Sequence, residues 1–138
     1  MTRQLRSVAI SFVIALFAFT GAAMAQSYSG DWPATVTRSQ RDNGTYCISL
    51  NDDGSYGAPH SGEAKLIPNT SQYPGYFAVV DGIITITFTY PSGEGDCCSY
   101  QVFTARASDG ELGSGVFNYF GITDIGVLTF GKKGGCSN

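Results

Sequence analysis

The chain has few charged residues, and its positive charges do not cluster. Lys and Arg number 8 among 138 residues and Asp and Glu 11, which gives a formal net charge of −3. Nucleic acid phosphates and anionic membrane surfaces both attract clustered Lys and Arg. The scattered basic residues therefore argue against nucleic acid as a partner and against adsorption to a membrane surface.

The sequence also lacks the side chains that most catalytic and metal sites need. It has one histidine, His60, no Cys-x-x-Cys pair and no Gly-x-Ser-x-Gly motif. One histidine is too few for a zinc site, and residues 51–55 lack the distal glutamate of an EF-hand loop. We therefore predict no metal, no cofactor and no catalytic residue, with His60 exposed in a loop and Asp52 and Asp53 in a polar turn.

The longest apolar run lies at the N-terminus and is too short to cross a membrane. After two arginines, 12 mostly apolar residues occupy positions 8–19, whereas a spanning helix needs about 20. An Ala-Met-Ala cleavage site follows at residues 23–25. The pattern predicts a signal peptide over residues 1–25, export to the periplasm or the cell exterior, and a mature chain at 26–138 without a membrane span.

Short alternating segments and glycine-bearing turns make up the mature chain. Thr, Ile, Val, Tyr and Phe dominate its apolar segments, a bias typical of strands. The clearest strand spans residues 83–90, where Ile84, Ile86 and Phe88 share one face and threonines occupy the other. The Asp-Gly pair that precedes it at residues 81–82 is typical of a type I′ hairpin turn, and it recurs at 109–110.

We predict one domain of eight strands. They are centred on residues 32–36, 45–50, 64–66, 76–80, 83–90, 99–106, 113–120 and 125–130. Short connections make neighbouring strands antiparallel, so the fold class is an all-β meander. Closure into a barrel removes both sheet edges, and we favour a barrel over a two-sheet sandwich. Gly113 and Gly115 indicate a bend or bulge in the seventh strand.

Four cysteines in an exported chain predict structural disulfides rather than a redox or metal site. Cys97 and Cys98 are adjacent, and a bridge between chain neighbours is strained. The favoured pairing therefore joins Cys47 and Cys136 each to one member of that pair. The alternative is a bridge within the pair together with a Cys47–Cys136 bridge, because closure of a barrel would bring the last strand near the first hairpin.

Tyrosine is frequent, with 8 residues. Tyr56, Tyr73 and Tyr76 lie in or beside the two longest predicted loops. Tyrosine suits surfaces that must be apolar and hydrogen-bonding at once. These three residues form our candidate binding surface.

The residues Gly30, Asp31 and Trp32 open the mature domain just before its first strand. A Gly-x-Trp at this position, followed by an eight-stranded meander, resembles the calycin-type barrels, which include lipocalin-like, avidin-like and small bacterial inhibitor barrels. The resemblance implies that Trp32 plugs one end of the barrel. It also implies binding of a ligand or a protein rather than catalysis.

The leading hypothesis is a small exported, disulfide-stapled barrel that acts as a binding protein. Its target would be a small apolar or sugar-like ligand or a protein partner, such as a periplasmic enzyme that it inhibits. A structural or surface-assembly component is the first alternative, and an enzyme is the second. The sequence itself identifies neither ligand nor partner.

Overall fold

Eight strands account for most of the described chain. The computed structural model describes residues 26–40, 42–67, 73–89, 100–120 and 124–136. The strands are β1 (Gly30–Arg38), β2 (Gly44–Asp52), β3 (His60–Ile67), β4 (Tyr73–Val80), β5 (Ile83–Thr89), β6 (Tyr100–Ser108), β7 (Glu111–Phe120) and β8 (Asp124–Phe130). The predicted all-β meander is confirmed, with strand bounds that shift by a few residues. The predicted signal peptide at 1–25 lies outside the described residues.

The strands close into a barrel, which confirms the favoured architecture over the sandwich. Each strand pairs antiparallel with the next, and β1 also pairs with β8, from Ala34↔Phe130 to Arg38↔Gly126. A closed barrel leaves no unpaired edge among its strands.

Two Asp-Gly turns connect the tightest hairpins. Asp81 and Gly82 have φ values of 51° and 74°, and Asp109 and Gly110 have values of 51° and 75°. A type I′ turn needs positive φ at both central residues, and its twist matches that of the flanking strands. The predicted hairpin turns are therefore confirmed.

A β-bulge bends the seventh strand, as its glycines predict. The β6–β7 register shifts between Ala105, which opposes Gly115, and Ala107, which opposes Leu112. A Cβ atom on Gly115 would overlap the carbonyl oxygen of Thr104. Only glycine allows the two strands to approach this closely.

Aromatic rings pack the middle of the barrel. The largest fully buried side chains include Trp32, Phe77, Phe88, Phe103 and Phe117. The ring of Phe103 lies 5.6 Å from that of Phe88 and 5.2 Å from that of Phe117, centroid to centroid. An eight-stranded barrel has an interior just wide enough for its own side chains. The middle is therefore a packed core, and functional groups are to be sought at the two ends.

The C-terminal tail follows β1 and is fixed by a disulfide. Gly131 N–H donates to Pro33 O and Gly134 N–H to Asp31 O, both at 2.7 Å. The tail then reaches β2, where Cys136 bonds to Cys47 with a Cα–Cα distance of 5.7 Å.

The favoured disulfide pairing, which joined Cys47 and Cys136 to the adjacent cysteines, is therefore wrong. Barrel closure sets the end of β8 beside β1, and β1 is hydrogen-bonded to the strand that carries Cys47. This topology makes the alternative Cys47–Cys136 bridge the one that forms. Cys97 and Cys98 lie outside the described residues.

Because the strands alternate in direction, their connections alternate between two ends of the barrel. The terminal end holds residues 26–29, the connection at 53–59, both Asp-Gly turns and the tail at 131–136. The Arg38 end holds the last residues of β1, β3, β5 and β7 and the first residues of the other strands.

Candidate functional site

At the terminal end, residues 26–29, called the N-terminal segment below, cover Trp32 of the first strand. Trp32 is fully buried, and its indole Nε1–H donates to the carbonyl oxygen of Tyr28 at 2.9 Å. The ring of Phe130 meets the indole edge-on. Lys133 Nζ lies 5.4 Å from the indole and donates to Ser27 O at 2.7 Å. Trp32 thus lies beneath the N-terminal segment, and its role as a plug stays a prediction.

A buried carboxylate holds that segment in place. Asp52 Oδ2 accepts the backbone N–H of Tyr28 at 2.9 Å and lies 2.8 Å from Nδ1 of His60. Asp52 N–H in turn donates to Ser29 Oγ at 2.8 Å. The ring of Tyr28 packs edge-on against His60. Through these contacts, the N-terminal segment is tied to β2 and β3.

This geometry corrects two expectations. His60 is not an exposed loop residue, because it begins β3 and its side chain is only 24% exposed. Asp52 is not in a solvent-facing turn, because it ends β2 with its side chain almost fully buried. The sequence signal was present, since Asp52 continues the alternation of Tyr46, Ile48 and Leu50.

The next residue does lie in an exposed polar turn. Ser55 N–H donates to Asp53 Oδ1 at 3.0 Å, and Asn51 Nδ2 donates to Asp53 Oδ2 at 3.1 Å. The hydrogen bonds from Ser55 stabilise the carboxylate and lower the pKa of Asp53. Within the described ranges, no three His, Cys, Asp or Glu side chains lie together as a metal site.

The three tyrosines of the candidate binding surface fall in two places. Tyr56 and Tyr76 are 54% and 48% exposed, and their rings lie 5.6 Å apart on the outside of the barrel. Tyr73 begins β4 at the Arg38 end and packs against the core. The structure therefore brings two of the three together, and their binding role stays a prediction.

The Arg38 end carries an arginine inside the barrel. Arg38 continues the alternation of Trp32, Ala34 and Val36, which are the fully buried positions of β1. The Cζ atom of Arg38 lies 5.0 Å from the ring centroid of Phe117 and 5.6 Å from that of Tyr46. Its Nε atom is buried and has no hydrogen-bond acceptor. No described carboxylate lies within ion-pair distance of this guanidinium.

Two further buried polar side chains flank a tyrosine on neighbouring strands. Gln101 of β6 pairs with Tyr119 of β7, which pairs with Asp124 of β8. Gln101 is 4% and Asp124 1% exposed. Ser39 Oγ and Gln40 N–H each donate to Asp124 Oδ1 at 3.2 Å. The other carboxylate oxygen, Oδ2, and Oε1 of Gln101 are buried and accept no hydrogen bond.

Half-buried aromatic rings and an open pocket complete this end. Tyr46, Tyr73 and Tyr119 pack against the core cluster from its rim. A pocket of about 600 Å³, open to solvent, is lined by Arg38, Ser39, Gln40 and Asp42. That volume lies in the range of pockets that hold small molecules.

Sequence reasoning missed Arg38, Gln101 and Asp124. Each is a polar residue that falls in phase with the buried side chains of its strand. Gln101 precedes Phe103 and Ala105, and Asp124 precedes Leu128 and Phe130. A polar residue in such a phase is the signal that could have found them.

No protein-family model, no curated protein and no solved structure matches this chain. Within the described ranges, no helix is long and apolar enough to cross a membrane. The eight-stranded antiparallel closed barrel is consistent with a calycin-like barrel.

Proposed function

We propose that this protein binds a small organic anion at the Arg38 end of the barrel. One observation carries the proposal. The Arg38 guanidinium lies near the rings of Tyr46 and Phe117, its buried Nε has no acceptor, and no described carboxylate lies within ion-pair distance of it.

The energetics favour an anionic ligand. Arg38 is half-buried, and withdrawing an ion from water has a cost that a paired charge offsets. The faces of Phe117 and Tyr46 contribute about 0.5–2 kcal/mol, and the Nε–H still has no acceptor. A carboxylate matches the donor edge of a guanidinium because it accepts two parallel N–H bonds.

The aromatic side chains suit the remainder of such a ligand. The ring of Tyr46 meets that of Phe103 edge-on, and the ring of Phe117 is tilted against it, so an apolar surface adjoins the guanidinium. An acid with a short apolar group would satisfy both. The proposal differs from the small apolar or sugar-like ligand of the hypothesis drawn from the sequence.

Thermal unfolding with matched ligands tests the proposal. The probes are four acids (acetate, propionate, 4-methylpentanoate and 3-phenylpropionate) and their α-amino counterparts (glycine, L-alanine, L-leucine and L-phenylalanine). The variants are Arg38→Met and, as a matched control, Arg106→Met, because Arg106 is exposed on β6. A ligand at 100 times its Kd stabilises the native state by about 2.7 kcal/mol.

We expect at least one of the eight probes to raise the unfolding midpoint of the wild type and of Arg106→Met. Arg38→Met should show no such increase. If none of the probes raises the midpoint, or if Arg38→Met responds as the wild type does, the proposed function is wrong.

A protein partner is the second candidate function, and a different observation favours it. Tyr56 and Tyr76 form an exposed aromatic pair on the outside of the barrel, and tyrosine is enriched where proteins meet. The test is affinity capture from the exported compartment with the wild type and with Tyr56→Ser/Tyr76→Ser. A protein retained by both chains equally would contradict this role for the pair.

A further inference from the structure

We infer that the ligand at the Arg38 end is a zwitterion of the α-amino acid class. The inference rests on the proposed anion site and adds what the anion carries beside its carboxylate. Three buried atoms at this end have no hydrogen-bond partner: the donor Nε of Arg38 and the acceptors Oε1 of Gln101 and Oδ2 of Asp124. A ligand that satisfies all three must present both an acceptor and one or more donors, and an anionic acceptor also complements the charge of Arg38.

The three residues lie in two adjacent rows of inward-facing side chains at one end of the barrel. Phe117, whose ring lies under the Arg38 guanidinium, is two residues before Tyr119 on the same face of β7. Tyr119 stands in register between Gln101 and Asp124, and neighbouring strands are about 4.8 Å apart. The guanidinium therefore lies one step along the barrel from the row that carries the two acceptors.

The opposite charges at this end are adjacent without being paired. Arg38 is in register with Gly126, two residues from Asp124 on the same strand, and residues 39 and 40 bond directly to the Asp124 carboxyl. These bonds engage Oδ1, while the ring faces of Phe117 and Tyr46 engage the guanidinium. Nε of Arg38 and Oδ2 of Asp124 thus both lie at this end of the barrel without a hydrogen-bond partner.

A simple anion complements only half of this arrangement. It would satisfy Arg38 but would bring a second negative charge toward Asp124, which opposes binding. An α-amino acid carries an ammonium group with three donors one carbon away from its carboxylate. Its carboxylate would pair with Arg38, and its ammonium would donate to Asp124 Oδ2 and Gln101 Oε1.

Calorimetric titration of the mature chain tests the inference with matched ligand pairs. The pairs are glycine and acetate, L-alanine and propionate, L-leucine and 4-methylpentanoate, and L-phenylalanine and 3-phenylpropionate. Each pair differs by one ammonium group. We expect at least one amino acid to bind at least about tenfold more tightly than its partner acid, a difference of about 1.4 kcal/mol.

The variant Asp124→Asn tests which group recognises the ammonium. Asparagine keeps an oxygen for Ser39 Oγ and Gln40 N–H but replaces the unpaired oxygen with an NH2 donor. We expect the preference for the amino acid to disappear in this variant. The matched control Asp31→Asn changes an exposed carboxylate on β1 and should keep the preference.

The outcomes separate the two proposals. If an acid binds through Arg38 as tightly as its amino acid in every pair, the anion site stands and the zwitterion inference is overturned. If the amino acid is preferred equally by the wild type and by Asp124→Asn, the role given to Asp124 is overturned. If no probe binds, the proposed function itself fails.

Discussion

The two ends of this barrel differ in what their buried polar side chains contact. At the terminal end, Asp52 Oδ2 accepts from Tyr28 N–H and contacts His60, which holds the N-terminal segment over Trp32, although Oδ1 of the same carboxylate is buried without a hydrogen-bond partner. At the Arg38 end, Arg38, Gln101 and Asp124 each keep a buried polar atom that bonds to nothing.

Under the proposed function, the terminal end stabilises the fold and the Arg38 end binds the ligand. A buried polar group that finds a partner adds roughly 0.5–1.5 kcal/mol to stability, whereas an unpaired one costs roughly 1–3 kcal/mol. The terminal end therefore stabilises the fold, and the Arg38 end carries a cost that a bound ligand would remove. Unfavourable groups of this kind are typical of binding sites.

Removal of the terminal end's tryptophan gives the largest expected effect. Trp32→Ala should lower the free energy of unfolding by about 3–5 kcal/mol, because it empties a fully buried site. Urea denaturation measures the loss. Tyr46→Ala, which truncates a half-buried ring at the other end, should cost less than half as much. A loss below about 1 kcal/mol for Trp32→Ala would contradict the plug role.

The disulfide should give the next largest effect. The double variant Cys47→Ser/Cys136→Ser removes a disulfide between residues that are 89 positions apart in the sequence. Such disulfides stabilise proteins by about 2–4 kcal/mol, chiefly because they lower the conformational entropy of the unfolded chain. The urea midpoint of the double variant should fall accordingly, and an unchanged midpoint would show that the bridge does not staple the fold.

Removal of the carboxylate that anchors the N-terminal segment should have the third largest effect. Asp52→Ala should lower the free energy of unfolding by about 2 kcal/mol. The change leaves the N–H of Tyr28 without its acceptor and removes the contact with His60. Asp53→Ala is the matched control, because the neighbouring carboxylate lies in an exposed turn, and it should cost less than about 0.5 kcal/mol. Equal losses in the two variants would mean that Asp52 anchors nothing.

At the Arg38 end, the sign of the effect should reverse. Gln101→Leu removes a buried acceptor that has no donor, so we expect a gain of about 1 kcal/mol in unfolding free energy. The same variant should bind the ligand more weakly, as calorimetry would show. A loss of stability would mean that Gln101 has a structural partner.

The sequence predicted the strands well and the site poorly, for one physical reason. Alternation identifies a strand when buried positions are apolar, as with Ile84, Ile86 and Phe88. The same alternation marks a polar residue as buried only if the strand is known to continue past the apolar run. Arg38 and Asp124 lie at such strand ends, and the sequence does not show at which residue a strand begins or ends.

The disulfide shows why a contact between distant parts of the chain was predicted wrongly. The pairing of Cys47 depends on which strand the barrel closes against, and this is a property of the whole sheet. Local reasoning about the strain of adjacent cysteines therefore favoured the wrong partner. The two Asp-Gly turns, whose conformation is decided within four residues, were predictable for the converse reason.

The unfolding free energy of Arg38→Met in ligand-free buffer shows whether Arg38 serves a ligand site or the fold. Methionine keeps an apolar contact with the rings of Phe117 and Tyr46 and removes the unpaired charge. If the Arg38 end is a binding site, urea denaturation should give a stability equal to that of the wild type or up to about 2 kcal/mol higher. A loss of about 2 kcal/mol or more would show that Arg38 supports the fold and is not held there for a ligand.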